Sequence, residues 1–496
     1  MNFSEYRQYD ALGLAQLIKN KAITPLELLD IAISRAEEVN PKLNAVIYKM
    51  YDYAKQMLTE ASEGQPFYGV PFLVKDLGID IAGQPTTFGS RVMTQYVPPV
   101  DSEIGKNIRQ AGFLVMGRTN TPEFGLTPFT EPELYGPTLN PWNTAHSPGG
   151  SSGGASASVS SGIVPLATAS DGGGSIRVPA AFTGLFGLKP SRGRFSYGPN
   201  FGEAWAGAAT DGCLSRSVRD TAAYLDAIAF PIQGDPYLIA SPKQPYLQAI
   251  ETPPGKLKIG FSTENIVDGF IDPQVKSAIE KTAQMLQDLG HEVEEAPLPY
   301  QKESLTRAFL TVLACQTATD MASIEMMLGA PLTDDHIELN TRLMAAVGHS
   351  FTASEYVGAQ REWNTITRKV AHYHQTYDLW LSPVASHLPF KTGQFKNTDQ
   401  ENMQANMALA NPEALKALIK QGMMDVLGSK VFGAIPFTPI ANLTGNPSMS
   451  VPLHWSTEEL PIGAMFTGRF GSEEVLLQLA RQLEQAHPWF DKVPQV

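Results

Sequence analysis

The sequence predicts an α/β fold with a partly parallel sheet. Two short apolar runs, residues 70–74 and residues 113–116, have the length and composition of buried strands. Between them, residues 103–111 have the residue spacing of a helix. A strand, a helix and a second strand in succession are typical of α/β proteins. We therefore expect both strands to lie in one sheet.

The segment that precedes the first strand, residues 1–62, is expected to be helical. Thr24 followed by Pro25 has the pattern of an N-cap and a first-turn proline, so a helix should run from there to about residue 39. Apolar residues within 28–36 recur at helical spacing and would form its buried face. We expect this segment to pack across a larger body.

Later segments continue the alternation of strands and helices. Strands are expected at residues 257–261, 379–381, 448–451 and 462–466, and helices at residues 273–289 and 473–485. Residues 230–255 are rich in proline and polar groups and should cross the surface. The 496 residues show no internal repeat and no clear domain boundary.

The composition is that of a globular protein with an acidic surface. Hydrophobic residues make up 43% of the chain and charged residues 18%, which is enough for a sizeable core. The net charge is -13, and an acidic surface repels phosphate backbones. We therefore expect no nucleic-acid partner.

Cysteine content and hydropathy indicate a cytoplasmic protein. Cys213 and Cys315 are the two cysteines, too few for a disulfide framework. Residues 1–10 carry charges of both signs and lack the apolar stretch of a secretory signal. No apolar run approaches 18 residues, so no membrane association is expected.

Residues 146–193 are crowded with glycine, serine and alanine. Such composition is also found in flexible linkers. Linkers, however, do not normally contain apolar runs such as residues 163–166 and 182–188. Small residues between core-like runs instead indicate close packing of backbones. A helix is expected near residues 155–161.

Within this stretch, residues 149–153 match the pattern G-x-S-x-G. That pattern marks the nucleophile elbow of α/β-hydrolases, which would make Ser151 the nucleophile. An elbow requires a preceding strand, and residues 140–148 do not have the pattern of one. The elbow is the weaker of two interpretations of this region.

A second serine follows three glycines in residues 171–177. Glycines leave backbone N–H groups uncovered, so such a turn can direct several donors at one oxyanion. The alternative is a tight turn that caps a helix. Lys75, at the end of an apolar strand, is a solvated strand terminus, a partner for Asp76, or a lysine that burial can make a base.

Taken together, these segments resemble the amidase signature family. The resemblance extends over nearly the whole chain. The separation of 24 residues between Ser151 and Ser175 (175 − 151 = 24) also fits that family. Its motifs are residues 69–76, 119–123, 147–154, 171–177, 187–190 and 460–463. Glycine at position 172 departs from the family pattern, which more often has a bulkier residue there.

The resemblance implies a single large domain over residues 1–496, with a mixed sheet flanked by helices on both faces. In that domain, residues 69–220 would be the signature core and the remainder would form the substrate pocket and the C-terminal part of the sheet. It also implies a serine amide hydrolase that needs no cofactor.

The family's site residues transfer to this sequence one by one. Ser175 would be the nucleophile, and Ser151, after a cis peptide bond, would connect it to Lys75. The oxyanion hole would consist of the backbone N–H groups of Gly172, Gly173, Gly174 and Ser175. Asp171 and Arg177 would support that loop without reacting.

Other chemistry has little support in the sequence. His372 and His374 form only an H-x-H pair, and no H-E-x-x-H motif occurs, so no catalytic metal is expected. No P-loop motif and no S-x-x-K motif occur. Cys315 lies in an apolar stretch and is either an inert core thiol or a residue of the substrate pocket.

The expected substrate is a small-molecule amide. Residues 139–143 and 331–335 resemble the branch of the family that includes hydrolases of aminohexanoate cyclic dimers. Two alternatives are the amidase subunit of a tRNA-dependent amidotransferase and a non-catalytic binding protein on the same scaffold. Family members are often dimers, so a homodimer is a candidate assembly.

Overall fold

A mixed sheet of 11 strands organises the computed structural model, which describes residues 1–496 except the side chains of residues 303 and 304. The strands are β1 Val46–Lys49, β2 Pro71–Lys75, β3 Leu114–Thr119, β4 Leu166–Asp171, β5 Phe186–Lys189, β6 Thr210–Ser215, β7 Lys258–Phe261, β8 Glu292–Glu295, β9 Leu379–Pro383, β10 Ser448–Trp455 and β11 Pro461–Gly468.

The strand order explains how distant parts of the chain meet. Across the sheet the order is β1-β3-β2-β4-β6-β5-β10-β11-β9-β7-β8. Pairing is parallel among β3, β2 and β4 and among β9, β7 and β8, and antiparallel in the centre. The C-terminal strands β10 and β11 therefore lie in the middle of the sheet, beside the signature core. The predicted mixed α/β fold is confirmed.

Eighteen α-helices and three short 3₁₀ helices surround the sheet. The α-helices are α1 Phe3–Tyr6, α2 Ala11–Lys19, α3 Pro25–Leu43, α4 Tyr51–Glu60, α5 Glu103–Ala111, α6 Gly153–Ser160, α7 Arg177–Thr183, α8 Val218–Ile228, α9 Tyr246–Ala249, α10 Pro273–Asp288, α11 Lys302–Leu328, α12 Leu339–His349, α13 Ala353–Tyr373, α14 Asp399–Ala410, α15 Pro412–Lys420, α16 Met423–Phe432, α17 Pro439–Thr444 and α18 Glu473–Ala486. The 3₁₀ helices are Arg91–Met93, Glu123–Gly125 and Trp205–Gly207.

Local capping explains why α3 and α5 begin at the predicted residues. The Thr24 side chain accepts the Glu27 amide while the Glu27 carboxylate accepts the Thr24 amide, which satisfies two free donors at the start of α3. Ser102 caps α5 through the amide of Gly105. Gly112 ends α5 with a φ of 89°, which glycine adopts without strain.

Both faces of the sheet are buried. Successive side chains of a strand point to opposite faces. Along β11, Ala464 and Phe466 pack in one core cluster and Met465 in the other. Along β9, Leu379 packs in the first of these clusters and Trp380 in the second. The first cluster contains α8 and α18, whereas the second contains α11 and α13.

The glycine- and serine-rich stretch is packed core, so the linker interpretation is wrong. It forms α6, β4, α7 and β5, and every residue of α6 is buried. Small side chains are required there because neighbouring chain segments approach closely. A Cβ on Gly154 would overlap the backbone of Asn120.

Two expectations about the elements need correction. The segment 1–62 is not all helical, because Val46–Lys49 forms the edge strand β1 against β3. The helices α11–α16, three before β9 and three after it, have no counterpart among the predicted elements. Among the described residues, no helix has the length and apolarity to span a membrane.

Candidate active site

Lys75 is the last residue of β2 and its side chain is fully buried. Its ammonium group donates to Ser151 Oγ over 2.7 Å and to Ser170 Oγ over 2.9 Å. Its backbone N–H donates to Thr168 Oγ1 over 2.7 Å, which aligns β2 with β4. The solvated-terminus interpretation of Lys75 is therefore wrong.

Ser151 lies in the turn that precedes α6, and the bond between Gly150 and Ser151 is cis. A Cβ on Gly150 would lie 2.6 Å from the backbone nitrogen of Phe129, so this turn is closely covered. Ser151 is only 2% exposed. Residues 144–150 contain no strand, so the strand that a nucleophile elbow needs does not precede Ser151.

Ser175 lies between β4 and α7, and it is more exposed than Lys75 and Ser151. The loop turns at Gly174, whose φ is 134°. A Cβ there would lie 2.5 Å from Thr438 Oγ1, so only glycine fits. A substrate from solvent reaches Ser175 more easily than the buried Ser151, which favours Ser175 as the attacking residue.

The carboxylate of Asp171 holds the loop from inside. It accepts the backbone N–H groups of Gly174 at 2.7 Å and Ile176 at 3.1 Å. The Arg177 guanidinium donates to both carboxylate oxygens, each over 2.9 Å. Burial favours the neutral acid, but Arg177 overcomes this and holds the pKa of Asp171 well below its usual range.

A C-terminal segment completes the support of the loop. Arg177 also donates to Thr438 O over 2.8 Å and to Asn442 Oδ1 over 2.7 Å. Thr438 Oγ1 donates to Gly173 O over 2.7 Å, and Asn442 Nδ2 donates to the Asp171 backbone oxygen over 2.9 Å. Sequence analysis missed Thr438 and Asn442 because no motif marks them.

The free backbone donors of the loop are fewer than the sequence predicts. The N–H of Gly174 is occupied by Asp171. Within the described part of the chain, the N–H groups of Gly172, Gly173 and Ser175 have no intramolecular acceptor. Of the four N–H groups predicted to form the oxyanion hole, these three are therefore available to bind a substrate oxygen.

Burial sets the charge state of Lys75. Removal from water lowers the pKa of Lys75 to about 7, although the carboxylates of Asp211 and Asp171 act in the opposite direction. A lysine with this pKa is largely neutral at slightly alkaline pH, when its lone pair can accept the proton of the Ser151 hydroxyl.

Two further residues near Lys75 were missed by sequence analysis. Ser170 precedes the recognised motif by one residue, and Asp211 lies opposite it in the antiparallel pair of β4 and β6. Directly opposed residues project to the same face. Burial raises the pKa of Asp211 to about 7, and Lys75 limits that rise.

Cys315 lies on α11, where its thiol contacts the backbone oxygen of Gly348 on α12 at 3.7 Å. Burial raises its pKa, which makes the thiol less reactive. Neither cysteine forms a disulfide. In the described residues, no group of three or more histidine, cysteine, aspartate or glutamate side chains has the arrangement of a metal site.

Comparison with known proteins identifies the family. Residues 27–477 match the family called Amidase. The chain belongs to this family. It is 35% identical to the 6-aminohexanoate-cyclic-dimer hydrolase of Paenarthrobacter ureafaciens, over 98% of this chain and 96% of that one.

Solved structures agree in fold. The structure of a 6-aminohexanoate cyclic dimer hydrolase superimposes with a TM-score of 0.87 at 34% identity, over 99% of both chains. A bacterial aryl acylamidase of the amidase signature enzymes superimposes with a TM-score of 0.83 at 26% identity, over 97% of this chain and 98% of that one. The family resemblance and the enzyme class, amidase, are confirmed.

Proposed function

We propose that this amidase hydrolyses carboxylic amides through an acyl-enzyme on Ser175. The hydrogen bond between Lys75 and Ser151 in a fully buried setting is the observation that carries the proposal. A serine hydroxyl is a weak nucleophile until a base removes its proton. Lys75 is a base with a pKa of about 7, and in the proposal Ser151 passes protons between Lys75 and Ser175.

The attack step moves two protons. Ser175 Oγ forms a bond to the carbonyl carbon of the substrate and gives its proton to Ser151 Oγ. Ser151 in turn gives its own proton to neutral Lys75. The carbonyl π electrons move to oxygen, and the N–H groups of Gly172, Gly173 and Ser175 stabilise this oxyanion.

Collapse of the tetrahedral intermediate reverses the relay. The carbon–nitrogen bond breaks while Ser151 donates a proton to the leaving nitrogen, because an amide anion is a very poor leaving group. Lys75 then returns a proton to Ser151. Water attacks the acyl-enzyme through the same relay, which releases a carboxylic acid and restores Ser175.

Small or cyclic amides, such as aminohexanoate oligomers, are the proposed substrates. The proposal draws on the similarity to hydrolases of 6-aminohexanoate cyclic dimer over nearly the full length of both chains.

Three further predictions concern the cellular location and the partners of the enzyme: a cytoplasmic location, a homodimeric assembly and no nucleic-acid partner. Light scattering tests the assembly, since the chain mass is 53.8 kDa.

Hydrolysis in the presence of hydroxylamine tests the proposed chemistry. The purified protein is given cyclic and linear aminohexanoate dimers, p-nitroanilides and glutamine, and hydroxamate formation reports an acyl-enzyme. We expect Lys75→Met and Ser175→Ala to abolish both hydrolysis and hydroxamate formation. The matched control is Lys189→Met, because Lys189 is equally buried with a pKa near 7 but donates to Pro190 O instead of a serine.

Each outcome separates the candidate functions. The proposal is supported if the Lys189→Met variant still hydrolyses the amides and the Lys75→Met variant does not. Turnover of glutamine alone among the amides would favour the amidotransferase alternative. Absence of turnover with every amide would favour the binding-protein alternative or an amidotransferase subunit that works only with its partner chains.

A further inference from the structure

Trp205 covers the first glycine of the candidate oxyanion loop. A Cβ on Gly172 would lie 2.5 Å from both Cε3 and Cζ3 of the Trp205 ring. Real side chains do not approach so closely, so the indole occupies the space that a side chain at position 172 would fill. Glycine at 172 and tryptophan at 205 are therefore a matched pair.

The backbone around Trp205 is held in an unusual conformation. Trp205, Ala206 and Gly207 have φ values of 51°, 52° and 78°, three left-handed residues in succession. This conformation is unfavourable for residues with a side chain, and it persists where surrounding contacts impose it. Arg192 supplies one such contact, because its Nε donates to the Gly207 oxygen over 2.5 Å. The turn fixes the indole against the loop.

A second aromatic ring adjoins the same loop. A Cβ on Gly173 would lie 3.4 Å from Cζ of Phe309, which is an ordinary van der Waals contact. Phe309 belongs to α11, and α11 packs against the Trp205–Gly207 turn. Two ring edges thus border the two glycines whose N–H groups are free.

The two sides of the site have different neighbours. Under the proposed mechanism the leaving nitrogen lies by Ser151, since Ser151 gives it a proton. A Cβ on Gly125 would lie 3.2 Å from Ser151 Oγ, so Gly125 borders that side. Under the same mechanism the acyl group leaves the carbonyl carbon on the side away from Ser151, and the carbonyl oxygen binds the N–H groups of Gly172 and Gly173, which Trp205 and Phe309 border.

We infer that Trp205 is the residue that limits the width of the acyl group. This inference rests on the proposed amidase function and adds to it a substrate class: amides whose acyl group is an unbranched methylene chain next to the carbonyl. Such a chain is thin and apolar and can lie along the ring edges of Trp205 and Phe309. An acyl group branched at its first carbon meets the indole.

Two p-nitroanilides that differ only in the acyl group test this inference. We measure kcat/KM for the hexanoyl and the cyclohexanecarbonyl compounds with the unmodified enzyme and with Trp205→Ala. The branched-to-straight ratio of kcat/KM should rise at least about tenfold in Trp205→Ala, since steric exclusion in a pocket is typically of this size. Trp455→Ala, which removes another half-buried indole on β10, should leave the ratio unchanged.

The reciprocal substitution tests the contact itself. Gly172→Ala should lower the thermal midpoint and the rate of labelling by a fluorophosphonate, and Trp205→Ala in the same chain should restore both. An unchanged substrate ratio in Trp205→Ala, or independent effects of the two substitutions, overturns the inference. If the unmodified enzyme hydrolyses neither anilide and does not react with the fluorophosphonate, the proposed function itself fails, and the substrate class fails with it.

Discussion

At the scale of single residues, the proposed mechanism makes activity depend on the charge of Lys75. Three groups face it: Ser151 and Ser170 accept its hydrogen bonds, and the Asp211 carboxylate favours its charged form. Burial outweighs the carboxylates of Asp211 and Asp171, so the pKa of Lys75 is about 7. A slightly more polar site would keep this lysine protonated and unable to accept a proton.

The pH dependence of hydrolysis should therefore follow Lys75. Because the base must be neutral, kcat/KM should rise as the pH increases through about 7. Asp211→Asn removes a carboxylate that raises the pKa of Lys75. The rise of kcat/KM with pH should therefore move to lower pH by about one unit in this variant. Pre-steady-state or steady-state pH profiles measure the shift.

The matched control for that profile is Asp226→Asn. Asp226 is another partly buried carboxylate, but it accepts the N–H groups of Tyr246 and Leu247 near α9. Its profile should coincide with that of the unmodified enzyme. A shift of the Asp211→Asn limb to higher pH would contradict the account.

At the scale of elements, the loop between β4 and α7 is held by one guanidinium fork. Arg177 reaches both oxygens of Asp171 and two groups near α17. A lysine ammonium cannot reproduce this planar set of donors. Arg177→Lys should lower kcat about 10²-fold or more, because misplacement of oxyanion donors has effects of this size.

Arg194→Lys is the control for loss of a buried arginine that binds both oxygens of a carboxylate. Arg194 donates to both oxygens of Glu473 on α18, away from the β4–α7 loop. It should lower the thermal midpoint but leave kcat within a few-fold of the unmodified value. Equal losses of kcat in the two variants would show that the effect of Arg177→Lys is general destabilisation.

Capping of α3 offers a test of local stability. Thr24→Ala removes the side chain that accepts the Glu27 amide and should lower the free energy of unfolding by about 1 kcal/mol. Thr59→Ala changes an exposed threonine inside α4 and should have a smaller effect. Urea titration of both variants measures the difference, and equal losses would show that the cap does not stabilise α3.

The elements that sequence analysis located share strong local signals. Caps such as Thr24 and helical spacing such as that of residues 103–111 depend on neighbours in sequence, so they are visible without the fold. The strands β4 and β6 were missed because they contain several alanine, serine, threonine and glycine residues and are stabilised by pairing with each other in the sheet.

The candidate site divides in the same way. Lys75, Ser151, Ser175, Asp171 and Arg177 lie in ordered motifs, and the family resemblance of those motifs predicted their roles. Their partners Asp211, Thr438 and Asn442 become neighbours only through strand pairing and through the packing of α17, which no local pattern encodes. The occupied N–H of Gly174 likewise depends on the fold of the loop.

At the scale of the whole molecule, the sheet connects the two ends of the chain. β10 and β11 come from the last 50 residues but lie beside β5 in the middle of the sheet. Glu473 on α18 accepts the Ser191 N–H and the Arg194 guanidinium. Neither half of the chain can therefore complete its core without the other.

This architecture predicts one cooperative unfolding transition, although 496 residues would suggest several domains from length alone. Differential scanning calorimetry should give a single transition in which the calorimetric and van't Hoff enthalpies agree. Val451→Ala, in β10, should shift the whole transition, because the side chain is fully buried. The prediction would be contradicted by two separate unfolding transitions, only one of which changes its midpoint temperature in Val451→Ala.

Covalent trapping tests the central claim most directly. The pure protein is treated with a fluorophosphonate, digested, and the adduct is located by mass spectrometry, with Lys75→Met and Lys189→Met in parallel. The account predicts a single adduct on Ser175 that Lys75→Met loses and Lys189→Met retains. An adduct on Ser151, or labelling of Ser175 that does not depend on Lys75, would contradict it.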